Sequence, residues 1–181
     1  MTLDYGASNQ VLNWASNVIS SNSDRNVIIS THAYLFRDGT TLDIGDVCPP
    51  TQSGGFNNGD HIWDKLVSKH ENIVLVLSGH DPWDNIVTTQ TKGDKGNTVT
   101  QMLIDPQGAD NTYNGLGAVA MLYFSEDGKR VTLEYYSPIK DQFFLTENRK
   151  IRIISGTDIA AFTKVEPIRC GACHALNGFF Y

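Results

Sequence analysis

Cysteine is scarce in this chain. Its three residues, Cys48, Cys170 and Cys173, are an odd number and too few for a disulfide scaffold, so the fold must rest on an apolar core. Long apolar runs are missing too. Nothing approaches the roughly 20 residues of a membrane-spanning helix, and no membrane partner is expected. Positive charge is in deficit, with 14 Lys and Arg against 20 Asp and Glu and a net charge of −6. No basic run is long enough to follow a nucleic-acid backbone, so surface binding of nucleic acid is not expected. Residues 1–25 lack the basic start and apolar stretch of a signal peptide, which leaves localisation unknown. Internal repeats and low-complexity segments are absent. What is present, 181 residues at 40% hydrophobic and 19% charged, suffices for one core domain.

Two segments stand out against this background. Asn26-Val27-Ile28-Ile29-Ser30-Thr31-His32 and Asn72-Ile73-Val74-Leu75-Val76-Leu77-Ser78-Gly79-His80 are apolar runs that each deliver a histidine at the end. Runs rich in Val, Ile and Leu without polar alternation read as strands buried on both faces of a parallel sheet. The carboxyl edge of such a sheet is where ligands bind in open α/β folds, so two imidazoles there point to metal or phosphate chemistry.

The connections fit an α/β arrangement. Residues 8–21 place Val11, Leu12, Ala15, Val18 and Ile19 at helical spacing behind a Ser8 cap, predicting a helix before the first histidine strand. A second helix is predicted over about residues 60–70, burying Ile62, Trp63, Leu66 and Val67, and its crossover makes the two histidine strands parallel neighbours. Between them, residues 36–58 form a long loop with Pro49, Pro50, Gly54 and Gly55, placed to cover the site because it leaves the sheet directly after His32. Cys48 on this loop has no sequence-adjacent histidine and reads as a loop residue rather than a nucleophile. His61 at the helix start is near the ligand edge, His70 is expected to meet the last helical carbonyls, and Asn57, Asn58 and Gly59 read as a turn or as an anion-binding helix start. After His80, residues 97–105, 117–125 and 130–137 read as short strands of an antiparallel layer, with an Asp127-Gly128 hairpin turn joining the last two. Tyr123, Phe124, Tyr135 and Tyr136 are expected as core and cross-strand pairs.

The stretches Asp24-Arg25-Asn26-Val27-Ile28-Ile29-Ser30-Thr31-His32-Ala33-Tyr34-Leu35, Gly59-Asp60-His61-Ile62-Trp63-Asp64-Lys65-Leu66-Val67 and Leu75-Val76-Leu77-Ser78-Gly79-His80 resemble the second half of calcineurin-like metallophosphoesterases. The resemblance continues through Gly96-Asn97-Thr98-Val99-Thr100-Gln101-Met102-Leu103-Ile104-Asp105 to Tyr135-Tyr136-Ser137-Pro138. It implies residues 1–138 as the C-terminal half of such a domain and 139–181 as a poorly matched extension. The expected fold is a partial metallophosphoesterase sandwich: two parallel histidine-terminated strands with crossover helices, then an antiparallel strand layer. The family's Asp-x-His, Gly-Asp-x-x-Asp and Gly-Asn-His-Asp/Glu elements do not occur, and Leu3-Asp4-Tyr5-Gly6 resembles the end of the missing half, so a partial catalytic domain is expected.

The implied chemistry is hydrolysis of a small phosphoester at a two-metal centre, with divalent Mn, Fe or Zn as cofactor. By resemblance His32 and His80 are metal ligands. The family's next histidine would fall at position 82, where this chain has Pro82, so Asp81 or Asp84 is a possible substitute ligand. The site is incomplete, no residue here is assigned a catalytic role, and weak or no activity is expected of the chain alone. A missing N-terminal half is one expected partner. The alternative is a non-catalytic module that self-associates through an exposed sheet edge. Cys170-Gly171-Ala172-Cys173-His174 matches the c-type haem attachment pattern, leaving a redox or haem protein as a third class; with seven residues after His174, an incidental tail is the favoured reading.

Overall fold

A serine just ahead of an apolar stripe starts the first helix. In the computed structural model, which describes residues 1–82, 86–108, 115–126 and 128–144, Ser8 Oγ accepts the Val11 N–H at 3.3 Å and α1 spans Asn9–Ser20. Capping satisfies one of the N–H groups left over by the first helical turn, while Leu12, Ala15 and Ile19 bury the apolar face.

The second helix is shorter than the periodicity predicts. α2 spans Gly59–Lys65 and gives way to a single 3-10 turn, Val67–Lys69. Leu66, Val67 and Ser68 are buried consecutively. A regular α-helix would swing one of them toward solvent, and the tighter turn keeps all three inside. Gly59 is required at the start of α2, because a Cβ there would lie 2.1 Å from the Tyr34 carbonyl oxygen.

Four strands form the main sheet: β1 (Val27–Ala33), β2 (Ile73–Gly79), β3 (Val87–Lys92) and β4 (Thr98–Leu103), in the order β1-β2-β4-β3. β1 and β2 are parallel neighbours, as expected from their continuous apolar runs. β4 also runs parallel to β2, and only β3 is antiparallel. Two sequence expectations are corrected here. The segment assigned to the antiparallel layer, residues 97–105, contributes a third parallel strand, and β3 is an additional strand that the sequence pattern does not announce. β4 buries Val99, Thr100, Gln101, Met102 and Leu103; its polar members are satisfied internally, Gln101 accepting from the Tyr34 hydroxyl at 2.7 Å and donating to Thr91 Oγ1 at 2.9 Å. The outer edge of β1 is met by residues 1–3: Ser30 N–H donates to the Met1 carbonyl at 2.9 Å and Leu3 N–H to the Ser30 carbonyl at 2.8 Å.

A second sheet, antiparallel throughout, consists of β5 (Val119–Phe124), β6 (Val131–Ser137) and β7 (Gln142–Phe144). Gly128, at φ +66°, supplies the left-handed backbone of the β5–β6 turn. This sheet continues past residue 138 into β7. One core joins Leu12, Ile19, Ile62 and Leu66 of the helical layer to Ile29, Val76 and Leu103 of the main sheet. Another joins Val74, Leu75 and Met102 to Val131, Leu133 and Tyr135. The architecture is mixed α/β, with the main sheet between helices and the second sheet. No helix among the described residues is long and apolar enough to cross a membrane.

Candidate functional site

Register brings the two histidines together. β1 and β2 run side by side with Ala33 opposite Gly79, so His32, the penultimate residue of β1, and His80, the residue after β2, share one sheet edge. His32 Nε2 and His80 Nδ1 are 3.1 Å apart, and the rings meet edge-on with centroids 5.0 Å apart. The Tyr5 ring closes the group, 5.6 Å from His32 and 5.9 Å from His80. His80 adopts φ +79°, a left-handed conformation costing a non-glycine residue about 1 kcal/mol.

The long loop after His32 folds back over this edge, as its position in the sequence predicts. Asp46 reaches across so that its Oδ1 lies 3.3 Å from His80 Nε2, the ring nitrogen on the far side from His32. The same Oδ1 accepts the Cys48 N–H at 2.6 Å, and the Cys48 carbonyl accepts the Tyr5 hydroxyl at 3.0 Å. Arg37, at the start of the loop, forks onto Asp81 just after His80, donating from Nε at 3.1 Å and from its backbone N–H at 3.0 Å, with Nη2 closing the ion pair. Cys48 itself is a free, exposed thiol.

The third parallel strand adds a carboxylate. Asp105 follows β4, is buried, and accepts the Gln107 N–H at 3.3 Å. The backbone N–H of His80 also faces this carboxylate and favours its charged form. Burial raises the Asp105 pKa above the ordinary carboxylate value, opposed by these N–H groups and by the two histidines. His32 is shifted down, first by the protein crowding its ring and then by His80, while Asp105 pulls the other way. Asp81 is held below its ordinary value chiefly by the hydrogen bonds from Arg37. Tyr135, near Asp105, is pushed upward by burial and by the charge of Asp105, and its hydroxyl finds no partner among the described residues.

Of the residues singled out in the sequence, His32 and His80 converge. Asp81 lies beside them with its carboxylate engaged by Arg37. Asp84, Cys170, Cys173 and His174 lie outside the described residues. His61 serves α2, its Nδ1 accepting the Asn58 N–H at 3.2 Å. His70 does not cap the helix end; its Nε2 is 2.8 Å from Ser16 Oγ on α1. The Asn57-Asn58 segment is a structural turn: Asn57 donates to the Ala7 carbonyl at 2.6 Å and Asn58 Oδ1 accepts the Thr51 N–H at 3.0 Å. Sequence reasoning missed Asp46 and Asp105. For Asp105 the signal was available, an acid directly after an apolar strand; for Asp46 there was none, since its partner is 34 residues away.

Among the described residues no group of three or more His, Cys, Asp or Glu side chains is arranged to hold a metal ion. Nitrogens about 2.0–2.1 Å from one tetrahedral zinc lie about 3.3–3.4 Å apart, and the imidazole pair at 3.1 Å is slightly closer than that spacing.

No family model matches the chain, and no solved structure matches it. It is 28% identical over 149 residues to the uncharacterized protein YvnB of Bacillus subtilis, an alignment covering 77% of this chain and 10% of that protein. The chain therefore spans about a tenth of the length of the curated relative it matches.

Proposed function

We propose that this chain is the C-terminal half of a metal-dependent phosphoester hydrolase of the calcineurin-like type, with His32 and His80 contributing imidazole ligands to a divalent Mn, Fe or Zn centre. The observation that carries the reading is the pair of ring nitrogens 3.1 Å apart at the carboxyl ends of adjacent parallel strands. The layered α/β architecture is compatible with a partial sandwich of that family, one whose second sheet runs past residue 138 into β7. Such a metal, when bound, supplies Lewis acidity toward a phosphoryl oxygen and makes hydroxide accessible near neutral pH. This chain's own residues hold and orient. His32 and His80 present nitrogens, Tyr5 packs on both rings, and the loop carrying Asp46 covers the His80 side of the edge while His32 stays exposed. With two nitrogen ligands the set is incomplete, and the remaining ligands would come from a first half of the domain in a longer protein. Substrates of this class are small phosphoesters.

Elemental analysis after Mn or Zn loading, paired with hydrolysis of a chromogenic phosphodiester, tests the proposal on wild type and His80→Ala. Metal retained by wild type and lost in the variant, with feeble turnover that follows it, is the expected result. A wild type that retains neither metal overturns the proposal.

One observation favours a second reading, a non-catalytic module that associates with its own copies. Val119, Met121, Tyr123 and Phe143 are 46, 40, 44 and 51% exposed on the second sheet. Sedimentation that stays monomeric across a wide concentration range would dispose of it.

A further inference from the structure

Resting on the metal site proposed above, we infer that Asp46 is a positioning residue for His80, fixing the ring with its proton on Nε2 and its lone pair on Nδ1. The geometry is one of opposite sides. Asp46 Oδ1 stands 3.3 Å from Nε2, whereas His32 Nε2 stands 3.1 Å from Nδ1. An ionised carboxylate only accepts hydrogen bonds, so the nitrogen facing it carries the hydrogen. In the neutral imidazole Nδ1 is then the acceptor, and the N–H pointing at it belongs to His32. The lone pair directed toward His32 is the one a metal shared with His32 would use, with the His32 ring losing its Nε2 hydrogen to solvent and carrying its hydrogen on Nδ1 instead. A carboxylate behind a ligating histidine fixes ring orientation and raises ligand basicity.

Asp46 is itself held in place for this task. Its side chain and that of His80 are 11 and 14% exposed, so water competes weakly for the contact. The Cys48 N–H fixes the carboxylate, and the Tyr5 hydroxyl fixes the Cys48 carbonyl. The opposite-side geometry also separates Asp46 from the other acids. Asp105 faces the backbone N–H of His80 and accepts its hydrogen bond from Gln107, and Asp81 is taken up by Arg37. Asp46 alone among them addresses the ring.

The test uses the whole chain as wild type, Asp46→Ala, Asp46→Asn and His80→Ala, with thermal unfolding curves confirming that each folds. Long-range proton–nitrogen correlation spectra of the metal-free proteins report the His80 tautomer, and chelator competition reports Zn and Mn affinity. Wild type is expected to show a single tautomer with Nδ1 unprotonated. Asp46→Ala is expected to lose that preference and to bind metal about 10–100-fold more weakly. Asp46→Asn keeps an acceptor oxygen without the charge, so it should retain the tautomer and lose less affinity; it decides the matter if Asp46→Ala does not fold. An unchanged tautomer in Asp46→Ala, or affinity within about twofold of wild type, overturns the role of Asp46 while leaving the metal site standing. A wild type that binds neither metal overturns the site and the link between Asp46 and metal together, and the tautomer still reports whether Asp46 orients the ring.

Discussion

β2 and β5 are both apolar strands, yet they bury their side chains differently. Ile73, Val74, Leu75 and Val76 are buried in succession on β2, whereas β5 alternates and leaves Val119, Met121 and Tyr123 substantially exposed. The cause is position. β2 lies between β1 and β4, with the helical layer packed against one face and the second sheet against the other; β5 borders the outer sheet and has only its inner face covered. The histidine pair hangs from the ends of this doubly covered strand and of its parallel neighbour β1. Side chains set on such a scaffold inherit its rigidity, which is what keeps a convergent pair in place.

Substitutions can probe how deep that contrast runs. Leu75→Ala on β2 should have the largest effect, a loss of about 3–4 kcal/mol in urea denaturation, because removing a fully buried side chain from a strand packed on both faces leaves a cavity. Gly59→Ala should follow at about 3 kcal/mol, since the added carbon meets the Tyr34 backbone rather than a movable side chain. The helical layer also makes stability depend on pH. Burial lowers the pKa of His70, which contacts Ser16 of α1. The unfolded chain takes up a proton from about pH 6.5 downward that the folded chain resists, so stability present above that pH is lost as pH falls below it. His32 is shifted in the same direction. His70→Gln should therefore flatten part of the acid slope of the denaturation midpoint and leave part behind; an unaltered slope would count against burial of His70. Met121→Ala on the outer face of β5 should cost within about 0.5 kcal/mol. A cost near that of Leu75→Ala would show that the outer face is covered in solution and would dissolve the contrast between the sheets.

The same contrast sorts what could be read from the sequence. The parallel pair was legible because continuous apolar runs leave few alternatives, and α1 because a serine cap precedes a clean helical stripe. β4 was legible as a strand but not as a parallel one: Thr100 and Gln101 look solvated in sequence, and only the Tyr34 and Thr91 contacts of Gln101 and the Gln90 contact of Thr100 show how they are satisfied when buried. β3 escaped because Val87-Thr88-Thr89-Gln90-Thr91-Lys92 is a polar edge strand whose one cue is its β-branched threonines. At the site, a strand end announces His32, His80 and, on inspection, Asp105. Asp46 is different, because its place depends on how the long loop over residues 36–58 returns across the sheet, 34 positions from its partner.

The left-handed backbone at His80 sets two selection pressures against each other. Glycine would fit φ +79° without a Cβ penalty, so variants chosen only for resistance to heat or denaturant should drift toward His80→Gly. Variants chosen for holding a metal should keep the imidazole and bear the strain. A library randomised at this single position and sorted both ways would thus record, as two diverging sequence populations, whether position 80 serves the fold or the ligand.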